Sequence, residues 1–124
     1  MKVIVYGTLK KGGKLSSYLD DSEFIIDTVV TGFKMYDSKS GFPFAVKTDE
    51  DDDWIWGEKY DVHSGTLRTL DIVESVQSGL FKRIDLREMK QKLKEPIYIY
   101  VSTLSRMSSF GLEPEEIESG VWEV

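Results

Sequence analysis

An α+β fold class follows from three features of this 124-residue chain. Its β-branched and aromatic residues fall in short runs, several of them alternating, as strands with one buried face require. Only two or three brief segments read as helical. No linker, repeat or low-complexity tract divides the sequence. A single compact domain over residues 1–124 is therefore expected, burying about two-thirds of its unfolded surface.

Lys2 to Tyr6 is a β-branched run of the kind that forms a core strand, and Gly7 turns the chain out of it. Gly12-Gly13 reads as a flexible turn, and Lys14 to Leu19 as a brief helix ending at Asp20-Asp21. Phe24 to Met35 alternates, with Gly32 marking a bulge or bend. Asp37 to Gly41 is a polar turn into a strand at Phe44 to Lys47. The acidic run Asp49 to Asp53 reads as a solvated hairpin tip before a strong strand from Trp54 to Val62. Ser64 to Glu74 is a short helix with Ser64 as candidate N-cap. Ser75 to Gly79 is a loop, Leu80 to Arg87 a strand, and Ile97 to Val101 the last of six strands. Glu113 to Glu118 resembles one helical turn, stopped by Gly120.

Two of these segments carry chemistry. Successive N–H groups from Gly7, Thr8 and Leu9 can form a concave donor site for a carboxylate or phosphate. On the helical wheel, Glu74 falls about 20° from Leu67 and about 40° from Leu70, so a carboxylate continues the apolar stripe. Partial burial disfavours the charged form and raises a carboxyl pKa, which suits a proton acceptor near neutral pH. The other outcome is a frayed last turn that leaves Glu74 in water.

Composition removes several function classes. The net charge of -6 and pI of about 4.8 would repel a phosphate backbone, so no nucleic-acid partner is expected. The absence of cysteine removes disulfides, thiolate nucleophiles and cysteine metal sites, and suits a reducing compartment. No apolar run approaches the roughly eighteen residues that span a bilayer, and the first residues read as a core strand rather than a signal peptide. Gly7 to Ser16 misses the nucleotide-binding P-loop because Gly13 takes the lysine slot, and Lys10 and Lys11 read as solvated. Asp49 to Asp53 lacks the glycine and glutamate of a calcium loop, since Trp54 and Tyr60 hold those positions. His63 is the sole histidine and reads as a turn residue. Trp54, Trp56, Tyr98 and Tyr100 read as core or rim aromatics.

In order and spacing, these pieces resemble the gamma-glutamyl cyclotransferase-like family. The opening strand with Tyr6-Gly7-Thr8-Leu9 matches its Tyr-Gly-Ser/Thr-Leu motif. Leu70-Asp71-Ile72-Val73-Glu74-Ser75 matches its Leu-Asp-x-x-Glu-Gly/Ser segment. Gly57-Glu58-Lys59-Tyr60 is similar to its Gly-Glu-x-Tyr strand, Phe42-Pro43 to its aromatic-proline hairpin, and Phe81-Lys82-Arg83 to its aromatic-x-Arg strand. Ser119-Gly120-Val121-Trp122 is a worn form of its closing tail. Two departures stand out: Phe81 replaces a usual tyrosine, and Val121 replaces an acidic residue.

The resemblance implies a small closed mixed β-barrel with helices packed outside. It implies a cytoplasmic enzyme, monomer or weak homodimer, acting on a small γ-glutamyl substrate without cofactor, metal or membrane. In the implied reaction the substrate α-amine attacks its own γ-carbonyl, releasing 5-oxoproline and an amine or amino acid. Glu74 would be the general acid/base, with Tyr6, Gly7, Thr8, Leu9, Phe81 and Tyr100 binding substrate. Two alternatives stay open: a non-catalytic small-anion-binding or interaction module, and an amide-bond enzyme acting on a modified lysine or peptide side chain.

Overall fold

The computed structural model describes residues 1–89 and 92–124. It holds β1 (Lys2–Val5), β2 (Glu23–Thr31), β3 (Phe33–Asp37), β4 (Pro43–Lys47), β5 (Trp54–Asp61), β6 (Lys82–Asp85), β7 (Ile97–Val101) and β8 (Glu115–Ile117). Two α-helices, α1 (Ser64–Val73) and α2 (Leu104–Ser109), and 3-10 turns at Ser16–Leu19 and Leu86–Glu88 complete it. The strands form one mixed sheet in the order β2-β5-β1-β7-β4-β3-β8, with β6 on β7. β1 lies parallel to β7 and antiparallel to β5. The sheet curls into a half-barrel. Its terminal strands share no ladder, and past the end of β1 the Trp56 N–H of β5 bonds instead to Gly120 O, just beyond β8.

Because side chains alternate along a strand, β1 feeds two cores at once. Val3 and Val5 pack with Leu67 and Leu70 of α1, while Ile4 and Tyr6 pack inside the curl with Phe33, Ile55 and Ile99. β7 divides likewise, with Ile97, Ile99 and Val101 inside and Tyr100 on the α1 side. That division sets the site: Tyr6 points into the barrel, and Tyr100 towards the helix that carries Glu74.

The α+β class stands, with eight strands among the described residues where six were expected, and several elements differ locally. Gly32, at φ +87°, breaks the Phe24 to Met35 run into β2 and β3, and the bulge lies between Phe24 and Ile26. Asp49 to Asp53 joins strands that do not pair with one another, so it is a crossover loop and not a hairpin tip. Glu113 to Glu118 is not helical: β8 pairs with β3, Met35 opposite Ile117 and Asp37 opposite Glu115. Pairing supplies the open β3 edge with partners, and Lys39–Glu115 (2.8 Å) adds a surface ion pair. The strand from Leu80 shortens to Lys82–Asp85 because Asp85 Oδ1 accepts the Arg87 N–H at 2.9 Å and starts a 3-10 turn. The brief helix expected from Lys14 forms only as the 3-10 turn Ser16–Leu19. Ser64 is the first helical residue of α1; His63 holds the cap position with no side-chain capping bond. α2 was not anticipated, although Thr103 caps it by accepting the Arg106 N–H at 3.0 Å.

Candidate functional site

Where β1 ends, the chain folds into a loop held by Lys10 N–H to Gly7 O (3.0 Å) and Leu15 N–H to Thr8 O (2.9 Å). Among the described residues, no protein group accepts from the N–H groups of Gly7, Thr8 or Leu9. All three residues line a narrow recess with Phe42, Pro43, Glu74, Phe81 and Tyr100. Gly7 is not in the left-handed region; the need for glycine is spatial, because a Cβ there would meet Pro43 Cγ at 2.6 Å. Of Lys10 and Lys11, both expected to be solvated, Lys11 is exposed and Lys10 is half-buried, and each also ties the loop to its surroundings. Lys10 Nζ donates to Trp122 O (2.7 Å), Lys11 N–H to Glu58 Oε1 (2.9 Å), and Lys11 Nζ stands 4.5 Å over the Phe24 ring.

Glu74 follows α1 directly, its N–H bonded to Leu70 O at 2.9 Å. Ser75 then adopts φ +53°, and Val76 N–H returns to Asp71 O at 3.0 Å. The helix end is pinned rather than frayed, so Glu74 remains half-buried in the recess wall. Burial alone raises its carboxyl from 4.5 to about 7. Among the described residues no donor is paired with that carboxylate.

Tyr100 and Tyr6 flank the floor. Tyr100 Oη donates to Asp71 Oδ1 at 2.7 Å, and Arg83 Nη1 lies 3.3 Å from Asp71 Oδ2. Tyr6 Oη donates to Tyr100 O (2.7 Å) and accepts the Ala45 N–H (2.8 Å), so its hydroxyl is fully used inside the barrel. Desolvation pushes both phenols well above their ordinary range, and the Glu74 charge pushes the same way. Phe81 is buried against Phe42, ring centroids 5.9 Å apart. Thr8, Phe42, Glu74 and Phe81 also line a wider, adjoining hollow of about 260 Å³, together with Lys14, Leu15, Ser40, Val73 and Leu80.

The seven expected site residues thus converge on one recess. Asp71 and Arg83, which lie within the matched motifs, acquire a task only through the fold. A carboxylate three residues before Glu74 shares its helix face, and that spacing was the available signal.

The family description "Gamma-glutamyl cyclotransferase, AIG2-like" matches residues 3–124. The chain belongs to that family. No curated protein matches it. Among solved structures, Escherichia coli protein ytfP is 26% identical, with 98% of this chain and 96% of that chain covered and a TM-score of 0.67. An uncharacterized protein, PH0828 from Pyrococcus horikoshii, is 23% identical, covering 98% and 88%, at a TM-score of 0.70. A mouse AIG2-like protein is 22% identical, covering 82% and 76%, at 0.63. The last two likenesses establish the cyclotransferase-family fold alone. No helix among the described residues is long and apolar enough to cross a membrane.

Proposed function

We propose that the protein is a γ-glutamyl cyclotransferase in which Glu74 is the general acid/base. The observation that carries this reading is a carboxyl raised to about 7, in one recess with three backbone N–H groups that no acceptor among the described residues uses. The N–H groups of Gly7, Thr8 and Leu9 hold the substrate α-carboxylate, and one of them can stabilise the oxyanion of the tetrahedral intermediate.

Nucleophile and electrophile belong to the same substrate molecule. The protein's main task is to fold it so that the α-amine meets the γ-carbonyl, an orientation effect worth roughly 7–11 kcal/mol. Ionised Glu74 takes a proton from the α-ammonium, the amine attacks the γ-carbonyl, and that proton passes to the leaving nitrogen as its C–N bond breaks. The second proton, shed by the attacking nitrogen as it becomes the lactam N–H, also passes through Glu74 to the departing amine, which leaves as an ammonium. Such a shuttle contributes about 10²–10⁴-fold. The products are 5-oxoproline and a free amine or amino acid, the latter leaving through the hollow beside Leu15, Val73 and Leu80.

The test is 5-oxoproline release from a panel of γ-glutamyl amines, γ-glutamyl amino acids and glutathione. Release that disappears in folded Glu74→Gln supports the reading. A hydrolysed or differently cyclised product, or full activity in the variant, refutes it.

A further inference from the structure

The polarity of Tyr100 follows from counting its hydrogens. A phenol has one proton to give, and the two protein atoms around Oη, Asp71 Oδ1 at 2.7 Å and Leu67 O at 3.4 Å, are both acceptors. The proton is therefore committed to Asp71, the shorter contact, and Tyr100 Oη can only accept from any further partner. Arg83 Nη1, 3.3 Å from Asp71 Oδ2, fixes the carboxylate from its other side. Tyr6 offers the recess no proton either, since its own goes to Tyr100 O. The recess thus brings together backbone donors at Gly7, Thr8 and Leu9 and two acceptor side chains, Glu74 and Tyr100.

We infer that Asp71 is a positioning residue that makes Tyr100 an obligate acceptor, so that Tyr100 Oη and Glu74 together form a subsite for a primary ammonium group. The inference rests on the reading of this recess as the site for the amino-acid end of the substrate. It assigns selectivity for the α-ammonium to a cluster spanning α1, β6 and β7, of which Asp71 and Arg83 do not line the recess themselves. Substitution of Asp71 by asparagine should reverse the polarity. Arg83 would claim the amide oxygen, the amide N–H would face Tyr100 Oη, and the phenol proton would turn towards the ligand.

Calorimetric titration at pH 8 with an inert ligand pair tests this without turnover. Nδ-acetyl-L-ornithine carries the ammonium; 5-acetamidopentanoate is the same molecule without it. The wild-type protein should bind the first at least ten-fold more tightly. That ratio should fall several-fold in Tyr100→Phe and in Asp71→Asn, whereas a merely structural role would weaken both ligands alike. An unchanged ratio in Tyr100→Phe overturns the inference even if Asp71→Asn fails to fold. So does a wild-type protein that binds neither ligand or both equally. A wild-type preference that Tyr100→Phe abolishes, in a protein that releases no 5-oxoproline, refutes the proposed reaction and leaves the subsite standing.

Discussion

Tyr6 and Tyr100 are joined side chain to main chain: the Tyr6 hydroxyl donates to Tyr100 O at 2.7 Å and accepts the Ala45 N–H at 2.8 Å. A phenol thus serves as a rung between β7 and β4, beyond the point where β1 has ended. Tyr6→Phe would leave a buried N–H and a buried C=O unpaired. Each orphaned group costs about 1–3 kcal/mol. A loss of about 2–4 kcal/mol in chemical denaturation is the expected outcome, and a loss below about 1 kcal/mol would show that water fills the gap.

The pH dependence of turnover should report Glu74. A base must be ionised to accept a proton, so kcat/KM should rise with pH through a limb near 7, set by burial of that carboxyl. A limb near 4.5 would mean that the recess is wetter in solution than its walls suggest.

Stability should depend on pH through the same group, with the opposite benefit. The folded-state value, about 7, lies above the ordinary 4.5, so the folded protein holds a proton that the unfolded chain releases between those values. Wild-type stability should therefore decline from about pH 4.5 to 7, by at most about 3 kcal/mol. Glu74→Gln should flatten that decline and be the more stable protein at pH 8. If Glu74→Gln is instead less stable at pH 8, the carboxylate is ion-paired in solution.

At Gly7, added volume should matter more than backbone strain. Gly7→Ala brings a Cβ to 2.6 Å from Pro43 Cγ, so the proline roof of the recess must move. Overpacking of this kind costs about 1–3 kcal/mol. Affinity for 5-oxoproline should fall about ten-fold, equivalent to about 1.4 kcal/mol, and Gly7→Val should be worse. Thr8→Ala should be milder if the N–H makes the contact. Undiminished affinity in folded Gly7→Ala would locate the carboxylate elsewhere.

Phe81 bears on substrate choice, because it lines both the recess and the adjoining hollow. Phe81→Tyr would add a hydroxyl to an apolar wall, moving preference towards polar leaving groups by about 1 kcal/mol, the net worth of one hydrogen bond. The ratio of kcat/KM for a matched polar and apolar substrate pair measures this. No change in the ratio would reduce Phe81 to packing against Phe42.

Much of the site was legible because it is local. Gly7-Thr8-Leu9 is one turn and Glu74 extends one helical stripe, so short-range periodicity reaches both. What escaped depends on distant partners. A strand over Glu115–Ile117 exists only because β3 offers an edge, and three residues with a preceding proline carry no strand pattern of their own. Lys10 looked solvated because its acceptor, Trp122 O, lies at the far end of the chain. The task of Tyr6 was hidden for the same reason, since its two partners belong to strands it does not adjoin in sequence.

The placement of β1 between β5 and β7 has a consequence for biosynthesis. Val3 pairs with Tyr60 on one side and Tyr98 on the other, so β1 is made well before its second flanking strand. Contacts of such long sequence separation slow folding. On the ribosome the Gly7 to Leu9 loop lacks the Lys10–Trp122 tie until Trp122 has been made. A nascent chain stalled before Ile97 should expose the Val3-Ile4-Val5 segment as a chaperone target. The recess therefore cannot be complete before β7 and Trp122 have been made.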